Sequence, residues 1–196
     1  MDKELRVSDV DFSLDDKNTC TGYAVVWDSQ SVDMGFREYI DKGSITEETL
    51  KKSDILFTIN HHMDEVLARS FHGEGTLHLA LDDKGLRFSF QVPDTKLGHD
   101  FKEMVRRGDL RQCSFTFQLA RDKDGNPLGD NWDRINGKTI RHIKNIDSLL
   151  DVSAVNSPAY PQTSLSLRSR TMIQKFKNQE KILKIYDKLN EFLDNL

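Results

Sequence analysis

The run from Arg111 to Phe117, Arg-Gln-Cys-Ser-Phe-Thr-Phe, constrains this chain more than any other stretch. Its apolar residues recur at every second position, the period of a strand with one face in a core, and a helix would scatter them around its axis. Cys113, Phe115, Phe117 and Leu119 then share the core face, while Ser114, Thr116 and Gln118 occupy the other. Packing of such a strand fixes the direction of the Ser114 hydroxyl. A serine held in this way becomes a nucleophile if a base stands within hydrogen-bond reach, so the chain has to supply an imidazole.

Strand character dominates the remainder. Glu4 to Phe12, Thr21 to Trp27 and Asp54 to Asn60 read as strands, rich in β-branched and aromatic residues or alternating in polarity. Thr76 to Leu81 and Leu86 to Val92 form a hairpin about Asp82-Asp83-Lys84-Gly85, and Thr139 to Ile143 and Leu149 to Val155 follow as further strands. Two short helices interrupt them. Ser44 as N-cap with Glu47 three residues on predicts a capping box and a helix over Ile45 to Lys52. Leu97, Phe101, Met104 and Val105 predict a second over Thr95 to Arg107, stopped by Gly108. Asp122 to Lys138 reads as a long polar loop, and Asp122-Lys123-Asp124-Gly125-Asn126 as a turn without the spacing of a calcium loop. Thr171 to Leu196 lacks proline and glycine and spaces its apolar residues helically, which predicts one long amphipathic helix joined through Ser164 to Ser169. That helix would pack on the domain, on a second copy, or on a partner.

Composition narrows the function classes. The 196 residues suit one compact domain with an appendage. The net charge of −4, with no basic stripe, argues against nucleic acid as a partner. Two cysteines provide neither a disulfide framework nor a thiolate zinc site. Met-Asp-Lys-Glu-Leu-Arg lacks the layout of a signal peptide and no apolar run is long enough to cross a bilayer, so a soluble, cytoplasmic protein is expected.

The best base lies in Asn60-His61-His62-Met63-Asp64-Glu65. Strand alternation continues the face of Ile55, Phe57 and Ile59 onto His61, and a desolvated imidazole favours its neutral, proton-accepting form. On spacing alone a core histidine is the commoner outcome. An acid that fixes the imidazole tautomer is available at Asp151, within Leu149-Leu150-Asp151-Val152-Ser153-Ala154-Val155, with Leu150, Val152 and Ala154 on the opposite face. Taken alone, Asp151 is better read as an edge-strand charge that discourages aggregation. Cys113 is the alternative nucleophile, but it shares the face of Phe115 and Phe117. His61, His62, Asp64 and Glu65 are metal-ligand types without a recognised ligand spacing.

The order of His61, Ser114 within Arg107-Gly108-Asp109-Leu110-Arg111-Gln112-Cys113-Ser114-Phe115-Thr116-Phe117, and Asp151 within Asp-Val-Ser-Ala-Val-Asn-Ser-Pro-Ala-Tyr-Pro-Gln-Thr resembles the prohead proteases of tailed bacteriophages. Gly22-Tyr23-Ala24, Val66-Leu67-Ala68-Arg69 and Pro158-Ala159-Tyr160-Pro161 extend the likeness over residues 1 to about 168. The resemblance implies a mainly β, α+β domain: a closed or partly closed antiparallel β-barrel related to the herpesvirus assemblins, with a few helices around it. It implies a protease domain over 1–168 and leaves 169–196 as a tail. It also implies a serine endopeptidase with Ser114, His61 and Asp151 as catalytic residues, backbone N–H groups holding the oxyanion, and no cofactor or metal. Arg69, Arg107 and neighbouring Arg106 become candidates for positioning substrate near that site. Implied partners are the major capsid protein and the scaffolding protein, with self-cleavage, inside the assembling prohead in the bacterial host, and self-association is a separate expectation from the helix over Thr171 to Leu196. Three positions depart from the family pattern: Asp151 where glutamate is more usual, Ala68 where glycine is common before Arg69, and Thr116 where glycine is common after Ser-Phe. The competing class is a non-catalytic assembly protein that keeps the same fold.

Overall fold

The computed structural model describes residues 3–31, 35–126 and 128–156. Along the chain the elements are β1 (Glu4–Asp11), β2 (Ser13–Leu14), β3 (Thr19–Val26), β4 (Arg37–Ile40), α1 (Glu47–Lys52), β5 (Asp54–Ile59), β6 (Val66–Phe71), β7 (Glu74–Gly75), β8 (His78–Leu81), β9 (Gly85–Gln91), α2 (Lys96–Arg107), β10 (Gln112–Leu119), β11 (Asp130–Ile135), β12 (Lys138–Ile143) and β13 (Ile146–Val155). The caps explain both helices. Thr46, not Ser44, begins α1, in a reciprocal box with Thr49, whereas Ser44 is buried. Thr95 caps α2, and Gly108 ends it at φ 78°, a left-handed conformation that glycine adopts without a side-chain clash.

Among the described residues three sheets result, ordered β1-β10-β13-β5-β6-β7, β2-β3-β9-β8 and β11-β12-β4. The chain is thus mostly β, but the expected closed or partly closed barrel is not formed among the described residues. β1 lies against β3 with no ladder between them, so the six-stranded sheet ends at β1 on one side and at the two-residue β7 on the other. Closure needs a continuous hydrogen-bonded circuit, and these edges do not supply it. The segment expected to be a loop instead carries β11, which pairs with β12 in a hairpin. Polarity hid that strand: Asp130 to Ile135 contains no buried residue. The predicted helix over Thr171 to Leu196 lies outside the described residues.

One face of the six-stranded sheet makes the core. Phe57 of β5 meets Phe90 and Phe88 of β9 at ring-centroid distances of 4.4 and 5.0 Å, and Phe101 of α2 at 6.2 Å. Phe115 and Val152 lie in register with Phe57 and are equally buried. Burying several large aromatics drives the four-stranded sheet and α2 onto this face. Among the described residues no helix is long and apolar enough to cross a membrane.

The three-stranded sheet is joined to β1 by a cluster of buried charges. Arg6 of β1 pairs with Glu4 (2.6 Å) and Glu38 (2.7 Å), and Arg141 of β12 pairs with Glu4 (2.6 Å), Glu38 (2.9 Å) and Asp130 (2.6 Å). Glu38 and Arg141 are each 2% exposed and Glu4 is 7% exposed. Such ions persist in a core only when paired and hydrogen-bonded.

Candidate active site

Register sets the first two side chains. β10 and β13 run antiparallel with Ser114 opposite Ser153 and Thr116 opposite Asp151, and paired residues project from the same face. A bulge follows, because Phe117 pairs with Leu149 and Leu150 is skipped. The core face of β13 is therefore Leu149, Val152 and Ala154, each fully buried, and Leu150 is only half-buried, a departure from simple alternation. Such an extra residue re-aims the side chains beside it. Here Asp151 turns to the face opposite the aromatic core.

β5 delivers the imidazole, though not by alternation. It pairs parallel to β13, with Thr58 beside Ser153 and Ile59 beside Ala154, so the turn leaving β5 rises next to the C-terminal part of β13. Asn60 and His61 both take positive φ angles, 50° and 62°. These values are uncommon outside glycine, though asparagine and histidine are among the residues that tolerate them. The turn is held by Asn60 N–H to the Ala154 carbonyl (3.0 Å), His61 N–H to Ser153 Oγ (3.2 Å) and His62 N–H to the Ile59 carbonyl (3.0 Å). It swings His61 over the polar face of the sheet instead of continuing the face of Phe57. His62 points away, exposed and 3.4 Å from Glu65.

The result is a short chain of contacts. His61 Nε2 lies 2.7 Å from Ser114 Oγ, and His61 Nδ1 lies 2.6 Å from Asp151 Oδ1. Ser114 is fully buried, Asp151 is 3% exposed, and the imidazole retains 19% side-chain exposure. An imidazole so placed can take a hydroxyl proton on Nε2 while the carboxylate holds the Nδ1 proton and stabilises the imidazolium that forms. The turn brings the ring down to the shorter acid, so aspartate makes the contact at 151.

Ser153, Thr58 and Arg6, which the sequence reading did not single out, complete the surroundings together with Thr116. Ser153 Oγ donates to Asp151 Oδ1 (3.0 Å) and accepts the His61 backbone N–H, and it is also hydrogen-bonded to Thr58 Oγ1. A hydroxyl has one proton and two lone pairs. With its proton on Asp151, Ser153 accepts from the His61 backbone N–H and from Thr58, and it also lies 3.2 Å from His61 Nδ1. Thr116 Oγ1 stands 3.4 Å from His61 Nδ1, and Ser114 Oγ is 2.8 Å from the Arg6 carbonyl of β1. Alternation places Ser153 on the face of Asp151, two residues on, which was a usable signal. The part of Arg6 left no trace in sequence.

The remaining candidates lie elsewhere. Arg69 Nε and Nη2 make a two-pronged pair with Asp54 at 2.7 and 2.6 Å, holding the Asp54 carboxyl below the usual carboxylate range, and the guanidinium sits 5.0 Å from the Phe71 ring centroid. Arg107 ends α2 and pairs with Asp109 at 3.1 Å. Among the described residues neither hydrogen-bonds to Ser114, His61 or Asp151. Ala68 is buried in β6 opposite Phe57. Cys113 and Cys20 are fully buried and not disulfide-bonded, and burial pushes the Cys20 thiol far up. Both thiols are expected to resist iodoacetamide in the native protein and to react after unfolding in guanidinium, read as mass additions.

Comparison with known proteins gives one match. A family described as caudovirus prohead serine protease matches residues 3–179. No curated protein and no solved structure matches the chain.

Proposed function

The chain belongs to the caudovirus prohead serine protease family, and from that membership we propose a Ser-His-Asp endopeptidase in which Ser114 attacks the peptide carbonyl. The family gives the coarser statement directly: a serine protease of capsid maturation, acting with capsid proteins in the assembling prohead within the host. In the proposed mechanism His61 Nε2 takes the Ser114 proton as Oγ bonds to the carbonyl carbon, then returns it to the leaving amine. Water repeats the sequence to release the acyl group. Asp151 keeps the Nδ1 proton in place throughout. The observation that carries this reading is the pair of contacts made by one imidazole, 2.7 Å to the hydroxyl and 2.6 Å to the carboxylate.

The proposed substrates are the scaffolding protein or a scaffold-like N-terminal segment of the major capsid protein, and the protease itself. Removing such segments empties the shell for DNA. Residues 1–168 are proposed as the protease domain, with 169–196 as a tail for assembly or self-association. Co-expression with the capsid and scaffolding proteins, followed by intact-protein mass spectrometry, tests the reading. Shortened products with wild type and none with Ser114→Ala are expected. Full-length chains from both would replace catalysis by an assembly role.

Ser153 supports Asp151 and the His61 turn together. Losing a buried hydrogen bond to a charged group costs about 1.5–3 kcal/mol, so Ser153→Ala is expected to lower kcat about 10- to 100-fold. KM should change little, because Ser153 is proposed to touch no substrate. Steady-state kinetics on a peptide spanning a mapped junction checks this.

A further inference from the structure

Ser114 is inaccessible in this conformation, and the N-terminal strand lies directly beside it. No part of the residue reaches the surface, and its Oγ lies between His61 Nε2 at 2.7 Å and the Arg6 carbonyl at 2.8 Å. The hydroxyl has a single proton for these two acceptors. While Arg6 holds it, the proton is not on the path to the imidazole. Among the described residues β1 is an edge strand, laddered only to β10, with Val7 directly opposite Ser114. Its ladder runs from Glu4 to Ser8 and then shifts register before Asp11, immediately beyond the residues facing Ser114. Bulges of this kind are where a strand bends or leaves its neighbour. At its other end β1 is pinned by Arg6 and Glu4 to Glu38 and Arg141.

We propose that β1 is a strap that keeps the site latent: its backbone flanks Ser114 with the Arg6 carbonyl holding the hydroxyl proton, the buried ion pairs hold the strand in place, and substrate reaches the serine only when β1 leaves the β10 edge. The proposal rests on Ser114 being the nucleophile and assigns the regulation of that same site. The reactive fraction of the protein is then the fraction with β1 displaced.

The ladder supplies its own lock. Ser8 of β1 is the register partner of Cys113 of β10. Directly opposed residues in an antiparallel pair have Cα atoms roughly 4.5–5.5 Å apart, inside the span of about 4.4–6.8 Å that a disulfide bridges. Ser8→Cys in the full chain therefore permits a reversible clamp, and Arg6→Ala loosens the strap without altering the imidazole or carboxylate. The measurement is the rate of fluorophosphonate adduct formation at Ser114, read by intact mass and located by peptide mapping. Oxidised Ser8→Cys is expected to react at least about tenfold more slowly than the same protein reduced, and Arg6→Ala several-fold faster than wild type. Equal rates for oxidised and reduced protein, or no acceleration in Arg6→Ala, overturn the strap. Capsid processing lost in Ser114→Ala alongside lock-independent labelling would leave catalysis standing and remove only the strap. No adduct in any form, Arg6→Ala included, would overturn both.

Discussion

Ser114→Ala is expected to reduce kcat on a junction peptide by about 10⁶-fold, and His61→Ala by a similar amount, because in the proposed mechanism these groups act as one unit and neither transfers the proton alone. Asp151→Asn is expected to cost about 10⁴-fold while leaving the fold intact, since an amide can donate to Nδ1 and so favour the wrong imidazole tautomer. The Ser114→Ala, His61→Ala double variant should be scarcely worse than either single one. Steady-state rates on the peptide, with circular dichroism to confirm folding, provide the check. Additive losses in the double variant would mean that the contacts at 2.7 and 2.6 Å do not work as a relay. The family membership would stand, and the assignment of roles would not.

Arg141→Met is expected to be the most damaging substitution away from the site. It leaves Glu4, Glu38 and Asp130 in a buried cluster with Arg6 as the one remaining cation of the group described above. Breaking a buried ion pair from one side costs about 3–5 kcal/mol, which lowers Tm by about 6–20 °C for a chain of this size. Thermal unfolding of wild type and variant measures it, and a Tm within a degree or two of wild type would show the cluster to be dispensable. The same cluster predicts acid sensitivity. Burial pushes the Glu4 carboxyl up, but hydrogen bonds and attraction from Arg141 and Arg6 outweigh it and bring the pKa down from 4.5 to about 2. A carboxylate with a lowered folded pKa contributes fully above its unfolded value, and the contribution fades as pH falls from about 4.5 toward about 2. Denaturant midpoints between pH 6 and pH 3 should therefore fall, and Glu4→Gln should flatten part of that slope. Because the cluster also pins β1, Arg141→Met should loosen the strap beside Ser114 in whatever fraction remains folded.

Much of the local structure was legible. Period-two runs located β3, β5, β9 and β10, helical spacing with Thr95 and Gly108 bounded α2, and Gly85 marked the β8–β9 hairpin. These features depend on residues a few positions apart, where side-chain periodicity and capping chemistry act directly. The misreadings have local causes as well. Thr46 lies two residues beyond Ser44 and offers the same hydroxyl, and β11 is polar with no buried residue, so neither stands out by composition.

The site divides along the same line. The sequence, through its resemblance to a family, named Ser114, His61 and Asp151, and alternation correctly separated Ser114 from the core face of Cys113, Phe115 and Phe117. It could not set their distances, because those follow from pairings between residues 53 and 90 positions apart. The parallel pairing of β5 with β13, the bulge at Leu150 and the left-handed turn at Asn60 and His61 bring the imidazole to both partners. Only the tertiary structure decided that the sheets stay open among the described residues and that the Arg6 carbonyl of β1 meets the serine hydroxyl. Each outcome depends on which buried surfaces and buried charges meet across the whole chain, and no local pattern encodes that choice.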